Sequence, residues 1–177
     1  MNYFDEVLES AMDVLNEFYK DTAVMLENLK GIIINERKYK DISGERVCWE
    51  VSSSISHPEY WNPVYLSLWF QSGDDDEEFI SITIILKEYW GNQVPKKEYS
   101  IYGCKFHKVI DHLKKYNWLG IYSIENPSED YKRIEKEDYV EVINPEHFGS
   151  CKIIKRSLWD MKDKQNVSDF VEQVTSL

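Results

Sequence analysis

Residues 64–86 read VYLSLWFQSGDDDEEFISITIIL. Val64, Leu66, Leu68 and Phe70 alternate with Tyr65, Ser67 and Trp69. After a polar interval, Ile80, Ile82, Ile84 and Leu86 repeat the pattern. A period of two sends successive side chains to opposite faces of a strand. Ser72-Gly73-Asp74-Asp75-Asp76-Glu77 between the runs is a turn, so the two strands are expected to pair as an antiparallel hairpin. This hairpin places a sheet at the centre of the chain.

Working toward the N-terminus, His57 to Pro63 (HPEYWNP) carries two prolines and an asparagine and reads as a loop. Val47, Trp49 and Val51 alternate with Cys48 and Glu50, giving a further strand. Over residues 4–34 the period changes. Phe4, Leu8, Ala11, Leu15, Phe18, Thr22, Met25, Leu29 and Ile32 recur at alternating steps of four and three, the spacing of one helix face. Val7, Val14, Leu26 and Ile33 widen the stripe beyond a two-position coiled-coil seam. A long helix lying on the sheet is expected, with Gly31 near its end or weakening it.

Working toward the C-terminus, Tyr99 to Tyr102 reads as a fourth strand, and Phe106, Val109, Ile110 and Leu113 mark a helix. A short strand over Ile121 to Ile124 and a brief helix capped at Ser128 come next. Tyr139 to Ile143 and Lys152 to Ile154 suit late strands, and Val167, Phe170, Val171 and Val174 mark a final helix capped by Asn166 or Ser168. There is no internal repeat and no long linker, so residues 1–177 are expected to form one domain. The expected class is α+β: an antiparallel sheet of about five strands, packed by the long N-terminal helix and a C-terminal helix.

Charge and composition narrow the function classes. The chain of 177 residues has 21 Lys and Arg against 32 Asp and Glu, a net charge of −11. That balance opposes a broad grip on nucleic acid or on an anionic membrane, and leaves a basic partner or plain solubility as its reading. Cys48, Cys104 and Cys151 are far apart, odd in number and never form a CxxC pair, the usage of a reducing compartment. With no secretory leader legible at Met1 and no apolar run near the ~20 residues of a membrane span, a cytoplasmic protein is expected.

Four constellations carry chemistry. Asp5, Glu9, Asp13, Glu17 and Asp21 follow one another at i+4 on the opening helix. A solvated face is the plain reading of such a stripe, and a docking surface for a basic partner is the functional one. The run Asp74 to Glu78 lacks the alternating ligands and central glycine of an EF-hand, and reads as a charged hairpin tip. Cys104, His107, Asp111 and His112 lie close in sequence, with His107 and Asp111 four apart on the expected helix as a base and its orienting carboxylate. Tyr60 and Trp61 sit in a proline-flanked loop, where aromatic rings either cap the core or anchor a partner.

No GxGxxG, phosphate loop, G-x-S-x-G elbow, HExxH or zinc-finger spacing occurs, so no cofactor and no metal are expected. The functional expectation is a non-catalytic interaction module of the inhibitor, immunity or antitoxin kind, with Glu9, Asp13, Glu17, Asp21, Tyr60 and Trp61 as its contacts. The first alternative is a small cytoplasmic hydrolase using His107 and Asp111, with Cys104 nearby. The second is an apolar-ligand binder with its pocket between the long helix and the sheet.

Overall fold

In the computed structural model the described residues are 3–43, 48–49, 65–87, 95–108, 132–144 and 148–177. Helix α1 spans Tyr3–Arg37. The strands are β1 Tyr39–Asp41, β2 Cys48–Trp49, β3 Tyr65–Ser72, β4 Glu78–Lys87, β5 Pro95–His107, β6 Lys132–Glu135, β7 Val140–Asn144 and β8 Phe148–Ser157. A 3-10 turn over Leu158–Asp160 leads to helix α2, Lys164–Thr175.

The hairpin of residues 64–86 forms as its alternation predicts. Strand β3 pairs antiparallel with β4, with Leu66 opposite Ile84, Leu68 opposite Ile82 and Phe70 opposite Ile80. From this pair the sheet extends in the order β1-β3-β4-β5-β8-β7-β6, with every described pairing antiparallel. The two-residue β2 also pairs with β3, so β1 and β2 lie along one edge. The expectation of about five strands therefore falls short, because the path holds seven. Strands β1 and β6 are short and polar (YKD and KRIE) and carry no apolar alternation.

Phe106 and His107 belong to β5 and not to a helix. Here two periodicities compete. The steps from Phe106 to Leu113 suit a helix, but Tyr102, Cys104 and Phe106 also alternate as a strand, and all three are buried on one face of the sheet. An unbroken register over eight residues of β4, Glu78 to Ile85, decides for the strand. The remainder of that expected helix, the expected elements over residues 121–124 and from Ser128, and most of the strand around Val47 lie outside the described residues.

One sheet face carries the main core. Leu66, Leu68, Phe70, Ile80, Ile82, Ile84, Leu86, Ile101 and Ile154 meet Met25, Leu26, Leu29 and Ile33 of α1 and Val167, Phe170, Val171 and Val174 of α2. Both helices thus pack on one face, as the class expectation held. The opposite face holds a second cluster that includes Trp69, Phe79, Tyr102, Cys104, Phe106 and Ile153. Each buried Ile or Leu contributes roughly 1.5–3 kcal/mol relative to exposure, so the first cluster dominates stability among the described residues.

Two glycines mark close approaches. A Cβ on Gly103 of β5 would lie 2.0 Å from Cγ2 of Val174, so α2 rests directly on the strand there. A Cβ on Gly73 would lie 2.6 Å from the carbonyl oxygen of Lys38. Lys38 itself has φ of 59°, the left-handed conformation that ends many helices and reverses the chain into β1. Gly31 does not end α1, which runs six residues further through open space around that position. Helix α2 is capped by Asp163, whose carboxylate accepts from the Asn166 N–H at 2.9 Å, in place of the expected Asn166 or Ser168.

Candidate functional site

Helix α1 divides into two halves. From Thr22 to Ile33 its apolar face is buried, with Leu29 and Ile33 fully inaccessible. Between residues 6 and 17, every residue whose exposure is described is exposed except Leu15, which is half-buried. The exposed residues include apolar ones: Val7 at 48%, Met12 at 49% and Val14 at 69%. The helix is ~52 Å long at 1.5 Å per residue, so its first half reaches past the core that holds its second half. The expectation that α1 lies on the sheet holds only for the C-terminal half.

Glu9, Asp13, Glu17 and Asp21 are all exposed on this element. At 100° per residue, Glu9, Asp13 and Glu17 point away from the centre of the stripe of Ala11, Leu15 and Phe18, by about 125–165°. Glu17 pairs with Lys20 at 2.9 Å, an exposed i,i+3 contact, and Lys20 is the one base among residues 5–21. The projecting half therefore has one acidic face and one apolar face.

Beside Asp21, a cavity of about 660 Å³ opens between α1 and the corner that joins β8 to α2. Phe18, Thr22 and Met25 line one wall, and Leu158, Trp159, Met161 and Val167 line the other. Trp159 is 57% exposed at its rim. This cavity lies between helical segments, whereas the expected pocket was between helix and sheet.

The catalytic candidates separate. Cys104 is buried in β5, while His107 is exposed at the strand's last position. Three steps along a strand reverse the face, so Cys104 and His107 point to opposite sides of the sheet, where a helix would have put them together. Asp111, His112, Tyr60 and Trp61 lie outside the described residues. Burial, with the neighbouring Cys104 thiol, pushes the Cys151 thiol well above its usual value, the reverse of what a nucleophile needs. Among the described residues, no group of three or more His, Cys, Asp or Glu could hold a metal ion.

A polar cluster that the sequence gave no reason to expect joins distant elements. The Tyr39 hydroxyl donates to the Glu78 carboxylate. Lys105 sits 3.1 Å from the same carboxylate and donates to the Thr175 carbonyl at 3.0 Å. His107 stands opposite Glu78 in the β4–β5 register. Burial, then the hydrogen bond to Glu78, pushes the Tyr39 phenol far above its usual range, so it stays protonated. Tyr39, Glu78 and Lys105 satisfy one another and tie β1, β4, β5 and the end of α2 together. They act as a brace, and 27 to 39 residues separate neighbours in the sequence, so no spacing could have revealed it.

The hairpin acids are likewise engaged in their turn. Asp75 accepts from the Glu77 N–H at 2.8 Å, and Ser72 accepts from the N–H groups of Asp74 and Asp75 at 3.2 Å. No helix of the described residues is long and apolar enough to cross a membrane. Comparison with family models, with curated proteins and with solved structures found no match.

Proposed function

We propose that this chain is a non-catalytic, cytoplasmic interaction module of the inhibitor, immunity or antitoxin kind. Its partner is a protein with a basic surface, held by the acidic face of the projecting half of α1. The observation that carries the reading is the exposure of α1 between residues 6 and 17, with Glu9, Asp13 and Glu17 on its outward side. A largely exposed helix half contributes little to folding, since short isolated helices are marginal in water. Retaining like charges at i+4 there costs roughly 0.2–0.5 kcal/mol per pair. A basic partner would relieve that repulsion and would be steered to the site by a field of net charge −11.

The test is capture from the native lysate on immobilised chain, with the wild type beside a Glu9→Lys, Asp13→Lys, Glu17→Lys variant. The wild type should recover a basic protein that elutes as salt rises from about 0.05 M to about 0.5 M, where screening shortens the Debye length to a few ångströms. The variant should not recover it. Recovery indifferent to both salt and charge reversal removes the acidic face from the account.

A second reading, an apolar-ligand binder, is favoured by the cavity beside Trp159, whose size suits a small organic molecule. Quenching or shift of Trp159 emission by an apolar probe, lost in Trp159→Phe, would support it.

A further inference from the structure

We propose that the apolar face of the projecting half of α1 is covered by a second copy of this chain, its helix running antiparallel. This goes beyond the reading above, because it concerns the opposite face of the same helix.

The stripe that is buried at Met25, Leu29 and Ile33 continues without a break in spacing through Phe18 and Leu15, both half-buried, to Ala11, which is exposed beside Val7, Met12 and Val14. A partner helix needs the same alternation of four and three to interlock with it, and a second copy supplies that by construction. The edges of the stripe are also apolar or uncharged: Val7 and Val14 on one side, Met12 and Tyr19 on the other. Glu9, Asp13 and Glu17 lie behind the seam, so two copies can meet without bringing these acids together.

The orientation follows from where the domain sits. The sheet lies on the same side of α1 as the stripe, at the level of Met25 to Ile33. Packed helices lie only about 8–10 Å apart. A parallel partner would put both domains into that gap at the same level. An antiparallel partner puts them at opposite ends and points each N-terminus toward the other copy's Trp159 rim.

Area sets the strength. Val7, Ala11, Met12, Val14 and Leu15 bury roughly 80 Å² each at most, about 800 Å² over both copies, the size of a weak, transient interface. A dissociation constant of about 10 µM is expected. Two chains of charge −11 repel, so salt should tighten the dimer, the reverse of its effect on a basic partner.

Sedimentation equilibrium tests this between about 1 and 200 µM, a range that brackets the expected constant. The weight-average mass should rise from 21.1 kDa toward twice that value, more steeply at about 0.5 M salt than at 0.05 M. Met12→Glu with Val14→Glu, both at exposed positions, should weaken association at least about tenfold while circular dichroism and melting stay unchanged. The Glu9, Asp13, Glu17 reversal should leave the dimer intact. A mass fixed at 21.1 kDa throughout, or a dimer indifferent to the Met12 and Val14 changes, overturns the inference. A monomer that still captures a basic partner sinks this proposal and leaves the functional reading standing.

Discussion

Gly103→Ala should destabilise the protein by about 2 kcal/mol, although alanine is ordinarily the better residue in a strand. Two effects oppose each other. Replacing a strand glycine by alanine lowers the entropy of the unfolded chain and stabilises by roughly 0.4–1 kcal/mol. The added Cβ, however, would stand 2.0 Å from Val174 Cγ2, 3.0 Å from Phe170 Cζ and 3.2 Å from Val174 Cβ. Ordinary contact begins near 3.5 Å. Val174 cannot turn Cγ2 away cheaply, because valine in a helix is held to one rotamer. Helix α2 must then lift from β5, loosening Val167, Phe170 and Val171 as well, all buried. Overpacking of this kind costs about 1–3 kcal/mol, and a Cβ so far inside contact belongs at the upper end. The net loss corresponds to a fall in Tm of roughly 4–8 °C for a chain of this size. Chemical and thermal denaturation of Gly103→Ala, Val174→Ala and the double variant measures it. Val174→Ala removes the offending Cγ2, so the double variant should lose less than the two single losses added together. A neutral Gly103→Ala, or strictly additive losses, would refute the placement of α2 on β5.

Two further outcomes follow from the titratable groups. Asp41 is partly buried, which raises its pKa, but Lys30 at 2.6 Å and the hydroxyl and N–H of Ser43 outweigh burial and hold it below the usual carboxylate range. Its contribution is present above the unfolded value of ~3.9 and is lost as pH falls through the lower folded value, so Asp41→Asn should flatten the acid limb of stability against pH by less than about 1 kcal/mol; an unchanged acid limb contradicts the pairing. Cys104 and Cys151 are fully buried, so in a Cys48→Ser background a thiol reagent should label neither until the protein unfolds; prompt labelling of either in the native state contradicts their burial.

What was legible in the sequence follows the apolar alternations. The β3–β4 hairpin, α1 and α2 each bury one face, and each announces it through a regular period. Strand β6 buries almost nothing at the sheet edge, so KRIE carries no such period. Strand β5 was read short because Lys96, Lys97, Glu98 and Gly103 break its pattern, and because Phe106 fits two periods at once. Gly103 reads as a weak strand position until α2 is placed above it. The Tyr39–Glu78–Lys105 brace depends on three strands and a helix end meeting, which no local spacing records. For α1 the difficulty is reversed. Its stripe keeps the same spacing where it meets the core and where it does not, so periodicity gives the helix but not the residue at which burial stops. That residue decides the candidate site, since it separates a packed helix from a presented one.

Amide hydrogen exchange along α1 in dilute solution tests that division most directly. Amides between residues 25 and 33 should exchange near the global unfolding limit, and those between 6 and 17 about a thousandfold faster or more, because this half is largely exposed. Uniform slow exchange from residue 6 to residue 33 in the monomer would contradict the account, since the first half of α1 would then be packed and its acidic and apolar faces would not be free to take a partner.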